Sequence, residues 1–551
     1  MDVIAQARDW IAQDPDPVTR EELSTIVDAA AGGDARAAAD LAARFAGRLA
    51  FGTAGLRGEL GAGPLRMNRV LVAQAAAGFA AYLSARAADG VRPTVVVGYD
   101  GRRNSEAFAR DSAELFAGAG LRAVLLPRLL PTPVLAFAVR HLGADAGVMV
   151  TASHNPPNDN GYKVYLGGAD EGAQIVSPAD GEIAAHIRRV ADARRVPDLP
   201  RSDAYEIGDE GIVDAYLAAT TVVAPAPASA EGLRWVYTAM HGVGWETFSR
   251  IVERAGYPAP TPVIEQIDPD PAFPTVAFPN PEEPGAMDLS FATARASGAE
   301  LVLANDPDAD RLAVGVPAPD GWRRLTGNEI GLLLGWRAAQ AARGVPGAAL
   351  ACSLVSSPGL GVIAERHGLE LRTTLTGFKW IARAPGIVYG FEEALGYLVN
   401  PDTVRDKDGI SAAVAVLGLA AEARGRGTTL LGLLEELAAE IGHFASGQVS
   451  IRVDDLSVIG RITGALRAQP PERFGGRAVD RAEDLLRPAD RGPSGDILRY
   501  TLDDGSRVIV RPSGTEPKLK TYLDVRGESA EDAAARLSAL DAAVRDLVDR
   551  L

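Results

Sequence analysis

Three times along the chain a short apolar strand runs into a polar loop and then a helix-patterned stretch, and this alternation most narrows the folds open to it. The first unit is predicted to run from a strand at 95–97, through Gly98-Tyr99-Asp100-Gly101, into a helix near 106–117. Further strands follow at 123–126 and 146–150, with a helix at 133–141. The second unit has strands at 233–237, 301–304 and 312–316 and a helix over 245–255. The third has strands at 348–354 and 369–373, a helix at 358–367 and another entered at Thr376-Gly377. Such alternation predicts layered α/β domains with mostly parallel strands. After about residue 443 the pattern changes to four strand-like runs (449–453, 497–502, 507–510, 519–525) closed by a helix from Ala530, which reads as an α+β end domain.

Acidic or Pro/Gly-rich stretches near 195–209, 317–322 and 425–428 mark the boundaries. At roughly 150 residues per domain, the chain's length leaves room for three or four domains. We place them at 1–205, 206–322, 323–442 and 443–551, the first opening with a helical segment over about 50 residues.

Composition removes several classes of function. The charge sum, 56 basic against 72 acidic residues, is −16 and argues against a nucleic-acid or anionic-membrane partner. Cys352 stands alone, which leaves no intrachain disulfide and no cysteine zinc site, and the six histidines show no ligand spacing. The first residues carry acids and no apolar signal core, and no apolar run is long enough to span a bilayer, so the expected location is the cytoplasm. Only five of the 56 basic residues are lysine: Lys163, Lys379, Lys407, Lys518 and Lys520. In a chain that uses arginine wherever a solvated cation suffices, a retained lysine points to chemistry that needs an amine.

Four segments could carry that chemistry, and all five lysines lie in or beside them. The strand ending at Val150 runs straight into Thr151-Ala152-Ser153-His154-Asn155-Pro156. Carboxyl ends of strands are where α/β sheets place ligands, and Asn-Pro favours a turn that would hold the Ser153 hydroxyl up at the rim. An ordinary Ser/Asn turn is the plainer alternative. A Ser-His-Asp hydrolase is disfavoured, because GxSxG is absent. The second segment is Asn305-Asp306-Pro307-Asp308-Ala309-Asp310-Arg311. If it is extended, alternate side chains share a face and the three aspartates converge. Crowded carboxylates call for a cation, and oxygen ligands select a hard ion such as Mg²⁺. An EF-hand is excluded, since its sixth position would be Arg311 and its twelfth Pro317. The third region holds Thr376-Gly377-Phe378-Lys379, Gly390-Phe391-Glu392-Glu393-Ala394-Leu395-Gly396 and Arg405-Asp406-Lys407-Asp408-Gly409. Glu392 and Glu393 either accept sugar hydroxyls or form a solvated acidic turn. The fourth, Arg511-Pro512-Ser513-Gly514-Thr515-Glu516-Pro517-Lys518, is either a nest of donors for a phosphate or a Pro/Gly turn. No nucleotide P-loop motif occurs.

Taken in order, these segments, with Phe51-Gly52-Thr53-Ala54-Gly55-Leu56-Arg57-Gly58 and the Tyr237–Gly244 stretch YTAMHGVG, resemble the α-D-phosphohexomutases, the phosphoglucomutase/phosphomannomutase superfamily, over nearly the whole chain. The resemblance implies an α/β protein of three similar mixed-sheet domains and a C-terminal α+β domain around a central cleft. It implies an isomerase that interconverts sugar 1-phosphate and sugar 6-phosphate through a phosphoserine and a sugar bisphosphate, with one Mg²⁺ per chain. By motif, Ser153 would carry the phosphoryl group and would share the Mg²⁺ with Asp306, Asp308 and Asp310. Arg57, His154 and Arg311 would line the phosphoserine, and Lys163 would handle the sugar hydroxyl's proton. Glu392 and Glu393 would hold sugar hydroxyls. Arg511, Ser513, Gly514, Thr515 and Lys518 would clamp the standing phosphate, with Lys379 and Lys407 near the substrate. The expected partner is a small phosphosugar, with neither nucleic acid nor membrane, and the expected state a monomer or weak homodimer.

One departure bears on the sugar. The better-known members carry Ser two residues after the first Glu of the sugar loop, where this chain has Ala394. GFEEALG and FGTAGLRG resemble instead the branch that holds phosphopentomutases and a glucose 1,6-bisphosphate synthase. Glucose or mannose is the expected sugar, with those two activities as alternatives. A Mg²⁺-dependent sugar phosphatase and a noncatalytic sugar-phosphate sensor are the remaining classes.

Overall fold

The computed structural model describes residues 2–453, 455–487, 494–512 and 518–550. The chain divides into two compact units, Met1–Leu325 with Gly396–Gly425, and Thr326–Leu395 with Arg426–Leu551.

The first unit opens on three helices, Val3–Ile11, Pro17–Ala31 and Ala35–Arg44. Each starts at an aspartate whose carboxylate accepts from backbone N–H groups of the first turn, and Pro17 occupies the position where its missing N–H costs nothing. Two mixed sheets follow. In the larger, Thr94–Tyr99 lies between parallel neighbours Arg122–Leu125 and Ala146–Val150. Asp159–Leu166 then pairs antiparallel with Ala146–Val150, and Leu56–Glu59 antiparallel with Asp159–Leu166. In the second sheet Trp235–Thr238 and Leu301–Asn305 run parallel, whereas Leu312–Ala318 and Gly321–Arg324 add antiparallel strands at one edge. The prediction of mostly parallel strands therefore describes the sheet centres, and the edges make both sheets mixed. Ala146–Val150 and Leu301–Asn305 are buried along their whole length, as apolar strands covered on both faces must be. Their carboxyl ends deliver the serine loop and the aspartate loop.

The helix Gly409–Gly425 belongs to the same unit, with thirteen residues buried, as its Ala/Val/Leu-rich run before Glu422 requires. It starts immediately after Arg405-Asp406-Lys407-Asp408, so its burial fixes that segment as well.

In the second unit Ala349–Ser353 lies between Glu370–Thr374 and Ile387–Glu392, all parallel. The helix Gly327–Ala341 begins with a reciprocal cap, in which Thr326 Oγ1 accepts from Glu329 N and Glu329 accepts from Thr326 N. The remainder is an antiparallel sheet in the order His443–Arg452, Lys518–Gly527, Arg507–Pro512, Leu498–Leu502, Arg477–Asp484 and Arg473–Phe474. Helix Ala530–Asp549 packs on its first two strands. The alternating burial of Leu498, Tyr500 and Leu502 is the signature of a sheet with one face on a core. Among the described residues no helix is long and apolar enough to cross a membrane.

Candidate active site

The serine loop is built by local hydrogen bonds rather than by the Asn-Pro turn alone. Thr151 Oγ1 accepts from Ser153 N at 2.8 Å, and Ser153 takes a left-handed φ of 52°. The hydroxyl is not raised at a rim: Ser153 is 2% exposed, and its Oγ donates to Asp306 Oδ2 at 2.9 Å. His154 Nδ1 lies 3.3 Å from the same Oγ. Burial, followed by the charges of Arg311 and Arg57, pushes the His154 imidazolium well below its ordinary range, so the ring is neutral near pH 7. Arg57, on the neighbouring strand, donates to Asn155 Oδ1 at 3.1 Å.

The three aspartates converge, but not in an extended segment. Ala309 has a φ of 55° and its N–H donates to Asp306 O at 2.8 Å, so the chain doubles back and turns all three carboxyl groups inward. Their oxygens lie within 4.8 Å of one another, and all three residues are fully buried. Two glycines let backbone approach this turn. A Cβ on Gly242 would come within 2.3 Å of Pro307, and one on Gly409 within 2.2 Å of Arg311 O. Asn305 ties the turn's ends, donating to Arg311 O at 2.6 Å while accepting from Tyr237 Oη at 2.7 Å.

Cations answer this buried negative charge. Lys163 Nζ donates to Asp308 Oδ2 at 2.7 Å and Asp310 Oδ2 at 3.0 Å, and Lys407 Nζ lies 3.2 Å from Asp310 Oδ2. Burial opposes ionisation of Asp308, yet Lys163, Thr132 and Lys407 hold its carboxyl below the usual range. Burial also opposes the charge on Lys163, and Asp308 with Asp310 overcomes it, so the amine stays protonated. Asp306 goes the other way, raised well above its ordinary value by burial and by Asp308 and Asp310. Two buried oxygens, Asp308 Oδ1 and Asp310 Oδ1, have no hydrogen-bond partner among the described residues. Three convergent carboxylates with unspent oxygens and a hydroxyl beside them are able to hold a metal ion, and an all-oxygen set suits a hard divalent cation.

The other candidate residues lie in the second unit. Glu392 ends the strand Ile387–Glu392, and Glu393 Oε2 accepts from Ser353 Oγ at 3.0 Å and Ser356 Oγ at 3.1 Å. Lys379 sits in the short helix Phe378–Ile381, entered through Gly377 at a φ of 106°. Arg511 and Lys518 lie on the paired strands Arg507–Pro512 and Lys518–Gly527, partly buried. Ser513, Gly514 and Thr515 lie outside the described residues.

Motif reading missed several supporting groups. Arg102 donates to four carbonyls of the serine loop, Thr132 Oγ1 donates to Asp308 Oδ2 at 2.6 Å, and Tyr165 Oη donates to Asp406 Oδ2 at 2.9 Å. Arg102 had a usable signal: it follows the first predicted strand's carboxyl end, the edge that also presents Ser153. Ser353 and Ser356 had none, since their role depends on where Glu393 folds back.

Comparison with known proteins shows the family. Four models of the phosphoglucomutase/phosphomannomutase family match: alpha/beta/alpha domain I over residues 48–194, domain II over 214–319, domain III over 326–440 and the C-terminal domain over 467–541. A protein of Haemophilus influenzae named probable phosphomannomutase is 53% identical over 88% of this chain and 98% of its own length. A phosphopentomutase of Mus musculus is 35% identical over 94% of this chain and 89% of its own. The crystal structure of a phosphoglucomutase/phosphomannomutase family protein from Burkholderia thailandensis shares the fold, with a TM-score of 0.68 at 23% identity over 90% of this chain and 97% of that one.

Proposed function

Because this chain belongs to the phosphoglucomutase/phosphomannomutase family of the α-D-phosphohexomutase superfamily and is a phosphosugar mutase, we propose that it interconverts hexose 1-phosphate and hexose 6-phosphate through a phosphorylated Ser153 and a hexose bisphosphate. Mannose or glucose is the sugar. The observation that carries the reading is Ser153 Oγ, 2.9 Å from Asp306 within a cluster of three buried carboxylates. Asp306, Asp308 and Asp310, with the serine oxygen, would hold Mg²⁺, which when bound supplies neutralising charge to the transferring phosphoryl group.

The rest falls to the chain's own side chains. Phosphoryl transfer depends mainly on positioning and electrostatics, and Arg57, His154 and Arg311 are the polar groups around the serine. Neutral His154, 3.3 Å from the serine oxygen, lies beside it without adding charge. Lys163 is the group we assign to the sugar hydroxyl's proton, because an amine can release a proton where a guanidinium cannot. Glu392 and Glu393 accept sugar hydroxyls, and Arg511, Ser513, Gly514, Thr515 and Lys518 hold the phosphate that is not transferred, with Lys379 and Lys407 near the substrate. One end of the sugar is phosphorylated by Ser153, the bisphosphate turns over, and the other phosphate returns to the serine.

A second reading, phosphopentomutase, is favoured by Ala394 in the sugar loop and by relatives of that name at 34–35% identity. Steady-state kcat/KM on mannose, glucose, glucosamine and ribose 1-phosphates separates the two. A hexose preference supports the first reading, and a ribose preference overturns it in favour of the second. Release of free phosphate at the rate of substrate loss would make the chain a phosphatase instead.

A further inference from the structure

Ser153 occupies the left-handed region at a φ of 52°, which a residue bearing a Cβ keeps only where its surroundings over-determine it. One side chain holds the loop at four points. Arg102 is 4% exposed. Its Nη1 donates to Pro156 O at 2.8 Å and Asp159 O at 3.1 Å, and its Nη2 to Ser153 O at 2.7 Å and Asn155 O at 2.6 Å. A guanidinium in a phosphoryl-transfer site is ordinarily turned toward phosphate oxygens. Here the whole outer fork ends on backbone carbonyls of the serine loop.

The guanidinium is itself held from two sides. Asp100 lies 3.6 Å from Nε and accepts from Arg102 N at 3.0 Å and Ser105 Oγ at 2.6 Å. The ring of Phe273 covers the cation, with its centroid 5.0 Å from Cζ. Phe273 is 3% exposed and sits at a φ of 48°. Its loop is tied back to the YTAMHGVG stretch, since Phe273 N donates to Asp270 O and Asp270 N to His241 O. Met240 and His241 are left-handed as well, at φ 48° and 58°.

We propose that Arg102, braced by Asp100 and by the face of Phe273, is the positioning residue that holds the Ser153 loop in its strained conformation and so keeps Ser153 Oγ aimed at Asp306. The proposal rests on the phosphoserine reading above. Arg102 acts through the serine's backbone and does not bind the transferred phosphate. A lysine at this position keeps the charge but cannot fork across four carbonyls. Loss of the clamp therefore lowers the rate at which Ser153 is phosphorylated while leaving substrate affinity in place, because the groups assigned to the substrate are untouched.

The test compares wild type, Arg102→Lys and Phe273→Leu. Each is mixed with glucose 1,6-bisphosphate and Mg²⁺, Ser153 phosphorylation is followed by intact mass, and kcat and KM are measured in parallel. The expected result for Arg102→Lys is labelling about 100-fold slower, the scale of loss when a reacting group is misplaced by an ångström. Phe273→Leu, which removes only the ring face, should slow labelling about tenfold. In both variants KM should stay within about threefold of wild type. Wild-type labelling rates in Arg102→Lys, or a rise in KM with kcat unchanged, would overturn the proposal. If Arg102→Lys does not fold, an unchanged labelling rate in Phe273→Leu overturns it alone. A wild type that never labels overturns the phosphoserine reading itself, a result distinct from a labelled wild type beside an equally fast variant.

Discussion

Ser153 Oγ donates a 2.9 Å hydrogen bond to Asp306 Oδ2 across 153 positions of sequence, joining the loops at the ends of two strands from different sheets. The contact links the hydroxyl that we propose carries the phosphate to a carboxyl group that burial and two neighbouring aspartates have raised well above its ordinary pKa.

That raised value makes Asp306→Asn informative. With no metal bound, a carboxyl that holds its proton is closely mimicked by an amide, so the variant in chelator should melt within about 2 °C of wild type. Added Mg²⁺ should stabilise wild type, by about 2.7 kcal/mol at a hundred times its dissociation constant, and should stabilise the variant far less. An equal Mg²⁺-induced shift in both proteins would remove Asp306 from the metal site.

Chelation should abolish turnover, and Mg²⁺ should restore it. Asp308→Ala should not be rescued by Mg²⁺, and it should also lower stability by about 3–5 kcal/mol, because it takes one carboxylate from a buried ammonium. Full activity in chelator would contradict the role given to the three aspartates.

Lys163→Arg tests the rare lysines. At a solvated surface position the exchange would be neutral, but Lys163 is 4% exposed and its ammonium lies within 3.0 Å of two carboxylates. A guanidinium is larger than the ammonium and holds its proton far more tightly, so kcat should fall at least about 100-fold. Retention of kcat within a few-fold would show that only the charge matters.

A pH dependence follows from Asp408, which caps the buried helix Gly409–Gly425 and accepts from Tyr216 Oη, Ile410 N and Ser411 N. Burial pushes its carboxyl up to about 6, against an ordinary 3.8. Between those values the unfolded chain is ionised and the folded chain still holds the proton. Its contribution to stability is therefore complete below about pH 4 and is lost as pH rises through about 6. Relative to Asp408→Asn, which cannot titrate, wild type should lose about 3 kcal/mol between pH 4 and pH 7. Wild type gaining on the variant over that range would contradict the assignment.

Much of the site was legible because its residues sit where parallel strands end, and apolar runs such as Ala146–Val150 and Leu301–Asn305 announce those ends. The three aspartates were found for an incomplete reason: their spacing suggested an extended segment, whereas a left-handed Ala309 turns them inward, a conformation that alanine does not advertise. Burial of Ser153 was illegible for a related reason, since it depends on a carboxylate 153 positions away. The return of 396–425 to the first unit was equally hidden, because a helix apolar on every side from Ala412 to Ala421 records that it is buried but not against what. Arg102 was legible only by position, one residue beyond the loop Gly98-Tyr99-Asp100-Gly101 at a strand's carboxyl end, since in a chain rich in arginine its type carried no signal.

The most direct test asks whether Ser153 carries the phosphate. Incubation with a hexose 1,6-bisphosphate should add one phosphoryl mass to the chain, map to Ser153, disappear on addition of hexose monophosphate, and be absent in Ser153→Ala, which should bind monophosphate without turning it over. Normal turnover by Ser153→Ala, or a label that maps to another residue, would contradict the account.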